Sequence, residues 1–127
     1  MDNILEEMSK DIFAKYVGIE ILKAGAGTAE ARLKIDEHHL NALGIVQGGA
    51  IFTLADSTLA AASNSREGTA IAVNVSITYC QAAGLGILTA RAKEVSLNRK
   101  IATYLVEVTD EKDNLIAMFQ GTVYRKQ

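Results

Sequence analysis

The spacing of apolar positions divides the chain into an opening helical stretch, a hairpin, a turn-rich loop, a long helix and a run of strands. Ile4, Leu5, Met8, Ile12 and Phe13 recur at intervals of three and four with Glu6, Glu7, Lys10 and Asp11 between them, which predicts one amphipathic helix ending before Gly18. Residues 19–22 and 28–35 alternate apolar and polar side chains around Gly25 and Gly27, the pattern of two strands joined by a glycine turn. Residues 36–47 hold turn formers without a sustained period and are read as a loop. A helical period returns from Gly48 to about Ser65. The stretches AIAVNVSITYC, GILTARAKEV, IATYLVEVTD and LIAMFQGTVYR then read as a meander of β-strands. Consecutive strands with no helices between them argue for an antiparallel α+β fold, not a parallel βαβ one.

The long helix carries an oddity. Between His39 and Ser65 the only side chain with a formal charge is Asp56, whereas a helix with a solvent-facing side normally carries Lys, Glu or Arg there. This predicts a helix buried almost all round. At about 100° per residue, Ile51, Leu54, Ala55, Leu59 and Ala62 form one apolar stripe, and Ala50, Thr53, Ser57, Ala60 and Asn64 an opposite face of small residues. A helix lying on a sheet and also covered outside calls for a second subunit, so the expectation is a symmetric homo-oligomer.

Asp56 falls at the border of the stripes with no Lys or Arg within four residues. It is either a structural acid held by hydrogen bonds or a catalytic carboxylate. Gly48 and Gly49 open the same helix, where backbone N–H groups lack intrahelical partners and carry the positive end of the dipole. Such groups polarise a carbonyl oxygen. Eight residues separate Gly48 from Asp56, roughly 12 Å along the axis, too far to act on one carbonyl, so the acid is expected to meet the glycines of another copy.

At 127 residues the chain is read as one hydrophobic unit, residues 1–127. Its 49% apolar and 22% charged residues are ordinary for a globular domain. A net charge of -2 without blocks of like charge gives no footprint for nucleic acid or an anionic membrane. Cys80 is the only cysteine, and the acidic start MDNILEEMSKDIF lacks the apolar core of a signal peptide. No apolar run approaches the ~18–20 residues that span a bilayer, and the expected location is the cytoplasm.

HHLNALGIVQGGAIFTLAD resembles the signature H-x-N-x-x-G-x-x-H-G-G-x-x-x-x-L-x-D of hotdog-fold acyl-CoA thioesterases of the phenylacetate-pathway (PaaI-like) branch, with His39, Asn41, Gly44, Gly48, Gly49, Leu54 and Asp56 at the matching positions. FAKYVGIEI, VNVSITYCQAA and the closing strands extend the likeness over nearly the whole chain. The resemblance implies a hotdog fold, a long central helix wrapped by a curved antiparallel sheet, assembled as a homodimer or a dimer of dimers with acyl-CoA at the interface. It makes Asp56 the nucleophile or general base, Gly48 the oxyanion donor and Asn41 the group that orients water or substrate. Gln47, Gly49 and His39 would contact or shape the substrate site. Two positions depart: Gln47 stands where the family usually has histidine and cannot titrate, and Ala72 occupies a place where some members use serine, with Ser76 nearby.

Other candidates are weaker. His38 and His39 lack enough further ligands for a metal site. Cys80 has no basic neighbour and reads as a buried or half-buried thiol. Arg99 and Lys100, in the turn SLNRK, are either solvated or contacts for CoA phosphates. Tyr79 and Phe119 read as core or as acyl-pocket walls. The expected function is hydrolysis of an acyl-CoA thioester without a metal or redox cofactor, coenzyme A being part of the substrate. The alternative is a non-catalytic acyl-CoA-binding or regulatory module, with a hotdog dehydratase a weaker third.

Overall fold

The computed structural model describes residues 2–126. Helices α1 (Asp2–Met8) and α2 (Ile12–Val17) lead into the hairpin β1 (Ile19–Gly25) and β2 (Thr28–Ile35). A short 3-10 turn, Glu37–His39, precedes the long helix α3 (Gly48–Ser63), followed by β3 (Thr69–Tyr79), β4 (Gly86–Leu97), β5 (Ile101–Thr109) and β6 (Leu115–Lys126). The six strands make one antiparallel sheet in the order β1-β2-β4-β5-β6-β3, curved around α3.

The apolar stripe of α3 supplies the core as its spacing predicts. Ile51, Leu54, Ala55, Leu59 and Ala62 are all buried, against Leu33, Leu88, Val106 and Phe119 of the sheet. A fully buried leucine contributes about 1.5–3 kcal/mol, so this stripe sets where the helix lies. Gly121 of β6 permits the close approach: a Cβ there would stand 2.7 Å from Leu59 Cδ2. The opposite side is not sealed by this chain. Ala50 and Ser57 of the small-residue face are buried, but Phe52, Thr53, Asp56, Ala60 and Asn64 form a half-exposed stripe along the helix.

Two expectations are corrected. The opening helix is broken in two, because the Asp11 carboxylate accepts a hydrogen bond from Ala14 N–H at 3.0 Å and caps a new helix. Ile12 and Phe13 consequently sit 84% and 62% exposed instead of joining the core. The strands are also not a simple meander: β3 crosses to the far edge and pairs with β6, so β4 lies between β2 and β5. Among the described residues no helix is long and apolar enough to cross a membrane.

Candidate active site

Residues 36–47 are an ordered loop pinned by side chains. Asp36 N–H donates to His39 Nδ1 at 2.9 Å, which leaves Nε2–H to donate to Val17 C=O at 2.6 Å. His39 is buried with both nitrogens engaged, a neutral imidazole that ties the loop to the end of α2. Asn41 Oδ1 accepts from Leu43 N–H at 2.9 Å and Ile45 N–H at 3.3 Å, folding the loop back towards α3. Its amide donors have no partner among the described residues.

The loop delivers the chain to the N-terminus of α3. Gln47 caps the helix by backbone position alone, without a side-chain hydrogen bond, and its side chain is exposed. Gly48 is closely approached: Tyr79 O–H donates to Gly48 C=O at 3.0 Å, and a Cβ on Gly48 would lie a tight 3.1 Å from that ring. At Gly49 a Cβ would meet only Gln47 Cγ, at 3.8 Å. Nothing in its own chain demands a glycine there, whereas a backbone approached from outside would.

An open, largely apolar cavity of about 550 Å³ lies over this end of the helix. Phe13, Tyr16, His38, Gln47, Phe52 and Tyr79 contribute to its wall, with Gly49 and Thr53 beside them. Asp56 follows one turn beyond Phe52 on the uncovered stripe. Burial, and secondarily the carboxylate of Asp11, push its carboxyl above the ordinary aspartate range. Among the described residues, no group of its own chain hydrogen-bonds it.

The structure thus gathers His39, Asn41, Gln47, Gly48 and Gly49 at one end of α3, with Asp56 two turns along. It does not bring Arg99 and Lys100 there within the chain. They form the exposed β4–β5 turn, where Arg125 N–H donates to Lys100 C=O, near the start of β3, whereas Gly48 touches Tyr79 at the end of β3. Eleven residues of strand separate these ends, roughly 33 Å. Ala72 pairs with buried Val123 on the helix side of the sheet, and Ser76 lies on the other face. Phe119 is fully buried, edge-on to Phe52 at 5.4 Å, and belongs to the core. Cys80 is exposed, contrary to the expectation of a buried or half-buried thiol, because it lies just past the edge strand with nothing over it. Sequence reasoning had no means of finding Phe13 and Tyr16, whose period argues for burial or is silent.

A helix clasped by a curved six-stranded antiparallel sheet, with glycines at its open end and one acid beyond, defines a hotdog thioesterase domain, and the chain belongs to the Thioesterase superfamily, whose family model matches residues 43–117. It is 49% identical over 116 residues to a putative esterase of Archaeoglobus fulgidus, covering 91% of this chain and 75% of that protein. It is 29% identical to the acyl-coenzyme A thioesterase PaaI of Escherichia coli over 91% of this chain and 83% of that protein. The solved structure of that PaaI superimposes with a TM-score of 0.94 over 99% of this chain and 92% of the other. A structure of the phenylacetic acid degradation protein PaaI of Thermus thermophilus is 40% identical, with a TM-score of 0.87 over 91% of this chain and 100% of the other. The hotdog fold, the PaaI-like kinship and thioester hydrolase activity expected from the residues all stand.

Proposed function

We propose that the chain hydrolyses an acyl-CoA thioester to free acid and CoA at a site shared by two copies of itself. One observation carries this reading: Asp56 sits half-buried on the uncovered stripe of α3, its carboxyl raised and without a hydrogen-bond partner among the described residues. A half-exposed carboxyl with a raised pKa suits a base that takes a proton from water or a nucleophile that attacks directly. The carbonyl oxygen would be held by the Gly48 and Gly49 N–H groups, where negative charge develops in the transition state. Asn41 offers its free amide to water or substrate. The reaction uses these groups without a metal or redox cofactor.

One edge of the sheet supports a second copy. Strand β3 is paired on one side only and exposes Ile71 at 54% and Val73 at 60%, and such an edge invites another strand. A twofold axis there would join two sheets, run the two α3 helices past one another, and carry each Asp56 towards the other copy's Gly48. The same antiparallel pairing would bring Arg99 and Lys100 of one copy to the loop end of the other, where the phosphates of CoA need cations.

One feature favours a second reading. Gln47 cannot titrate, which suits a module that binds acyl-CoA without turning it over. Free-thiol release from a panel of acyl-CoAs separates the two. Turnover that falls about 10²–10⁴-fold in both Asp56→Asn and Asp56→Ala, with oligomeric state intact, supports the hydrolase. Saturable binding without turnover supports the module.

A further inference from the structure

The cavity over the N-terminus of α3 holds a group that the thioesterase reading leaves idle. Of the residue types in its wall, only histidine changes charge between roughly pH 5 and 8, and the wall has two of them, His38 and His39. His39 has spent both ring nitrogens on Asp36 and Val17. The exposed His38 ring lies against it, centroids 3.9 Å apart and tilted by 38°. Among the described residues His38 makes no hydrogen bond, and both its nitrogens are free for a ligand in the cavity. Gln47, at the position where the resemblance puts the family's histidine, lines the same cavity and moves no proton.

We propose that His38 takes over the proton transfer that Gln47 cannot perform, acting as the acid that protonates the departing sulfur. This rests on the thioesterase reading. Water attacks the carbonyl carbon and gives its proton to the partner's Asp56; the C–S bond breaks with its electron pair on sulfur; the His38 imidazolium passes its N–H proton to that sulfur, releasing a neutral thiol. The partner's Asp56 then loses its proton and His38 regains one, both through solvent, and the product acid ionises. His38 shares its turn with Asp36 and Glu37, lies against the His39 ring, and shares the cavity wall with Tyr16 of α2 and Tyr79 of β3. Helix α3 contributes no charged side chain before Asp56.

Steady-state kinetics against pH test this with two thioesters of one acid, one of CoA and one of an aryl thiol, whose more acidic sulfur leaves without a proton. The wild type should lose kcat on the CoA thioester at the alkaline side. His38→Gln should abolish that fall and lower kcat roughly tenfold to a hundredfold, at the low end for a general acid because thiolates leave readily, with KM little changed. On the aryl thioester the same variant should stay within about twofold of the wild type. An equal loss on both thioesters, or an unchanged pH profile, overturns the role of His38. If the aryl thioester is not turned over, the pH profile on the CoA thioester decides alone. Absence of turnover by the wild type, or full turnover of both thioesters by Asp56→Asn, overturns the thioesterase reading, and the role of His38 falls with it.

Discussion

The two ends of α3 treat polar groups in opposite ways. At the C-terminal end, Arg66 clasps Glu94 through two hydrogen bonds of 2.8 and 3.2 Å, and the hydroxyl of fully buried Tyr104 donates to the same carboxylate at 2.8 Å. Gly27 N–H donates to Ser65 Oγ, and Asn64 bonds Ala60 and both backbone groups of Ala70. Gly27 belongs to this cluster by necessity: its φ is +80°, and a Cβ would stand 2.8 Å from Glu94 Oε2. The cluster fastens the β1–β2 turn, β4, β5 and the helix into one unit. From the N-terminal end to the middle of the helix, the Gly48 and Gly49 N–H groups, the Asn41 side-chain N–H groups and the Asp56 carboxylate find no partner among the described residues. Paired polar groups hold a fold together, whereas unpaired ones on the same fold are held ready for something outside it.

The sharpest way to break this contrast is to divide the open end between two chains. Gly49→Val has room in its own protomer, since a Cβ there meets only Gln47 Cγ at 3.8 Å, yet it blocks approach to the helix N-terminus. Alone, Gly49→Val and Asp56→Asn should each reduce turnover by about 10²–10⁴-fold. Unfolded together in equal amounts and refolded, they should recover about a quarter of wild-type activity: half the dimers are hybrids, and each hybrid has one intact site of two. No recovery would mean that one chain supplies the whole site.

The closed end should respond in stability and not in rate. Glu94→Ala strands the Tyr104 hydroxyl in the core and frees Arg66, which should lower unfolding free energy by about 1–3 kcal/mol and leave kcat unchanged. The hydrogen bond from Arg66, with that from Tyr104, holds the Glu94 carboxyl below its ordinary range. A depressed carboxyl stabilises above the unfolded-state pKa, and that contribution disappears as pH falls through the folded value. Denaturant melts of wild type and Glu94→Ala should therefore differ by more at pH 7 than in acid.

This contrast was only half legible in the sequence. Asp56 stood out because one acid in a charge-free helix is a local anomaly, and the α3 stripe was readable because its period is local. Strand β3 was readable as a strand but not as an edge, since AIAVNVSITY has the same alternation whichever neighbour it takes. Ile12 and Phe13 misled because apolar spacing reports burial, whereas both stand exposed, Phe13 in the wall of a cavity. Arg66, Glu94 and Tyr104, like Phe13, His38 and Tyr79, are each brought together only by the strand order, and no spacing along the chain announces them.

The smallest effect separates the two ends most finely. Burial raises the Asp56 carboxyl, so the folded state holds its proton more tightly than the unfolded chain does. For a raised carboxyl the sign is the reverse of Glu94: the folded state is relatively favoured in acid and loses ground as pH rises through the folded value. Above that value the charged carboxylate is therefore a burden on the fold, and Asp56→Asn should remove it. The expected gain is below about 1 kcal/mol, because the side chain is half-exposed and solvent relieves part of the penalty, a rise in Tm of a few degrees at most. The gain should vanish as pH drops below the aspartate range, where the wild-type acid is protonated too. An inactive but more stable Asp56→Asn is the signature of a group retained at the expense of stability for its chemistry; a destabilised one would mean that Asp56 belongs, like Glu94, to the architecture.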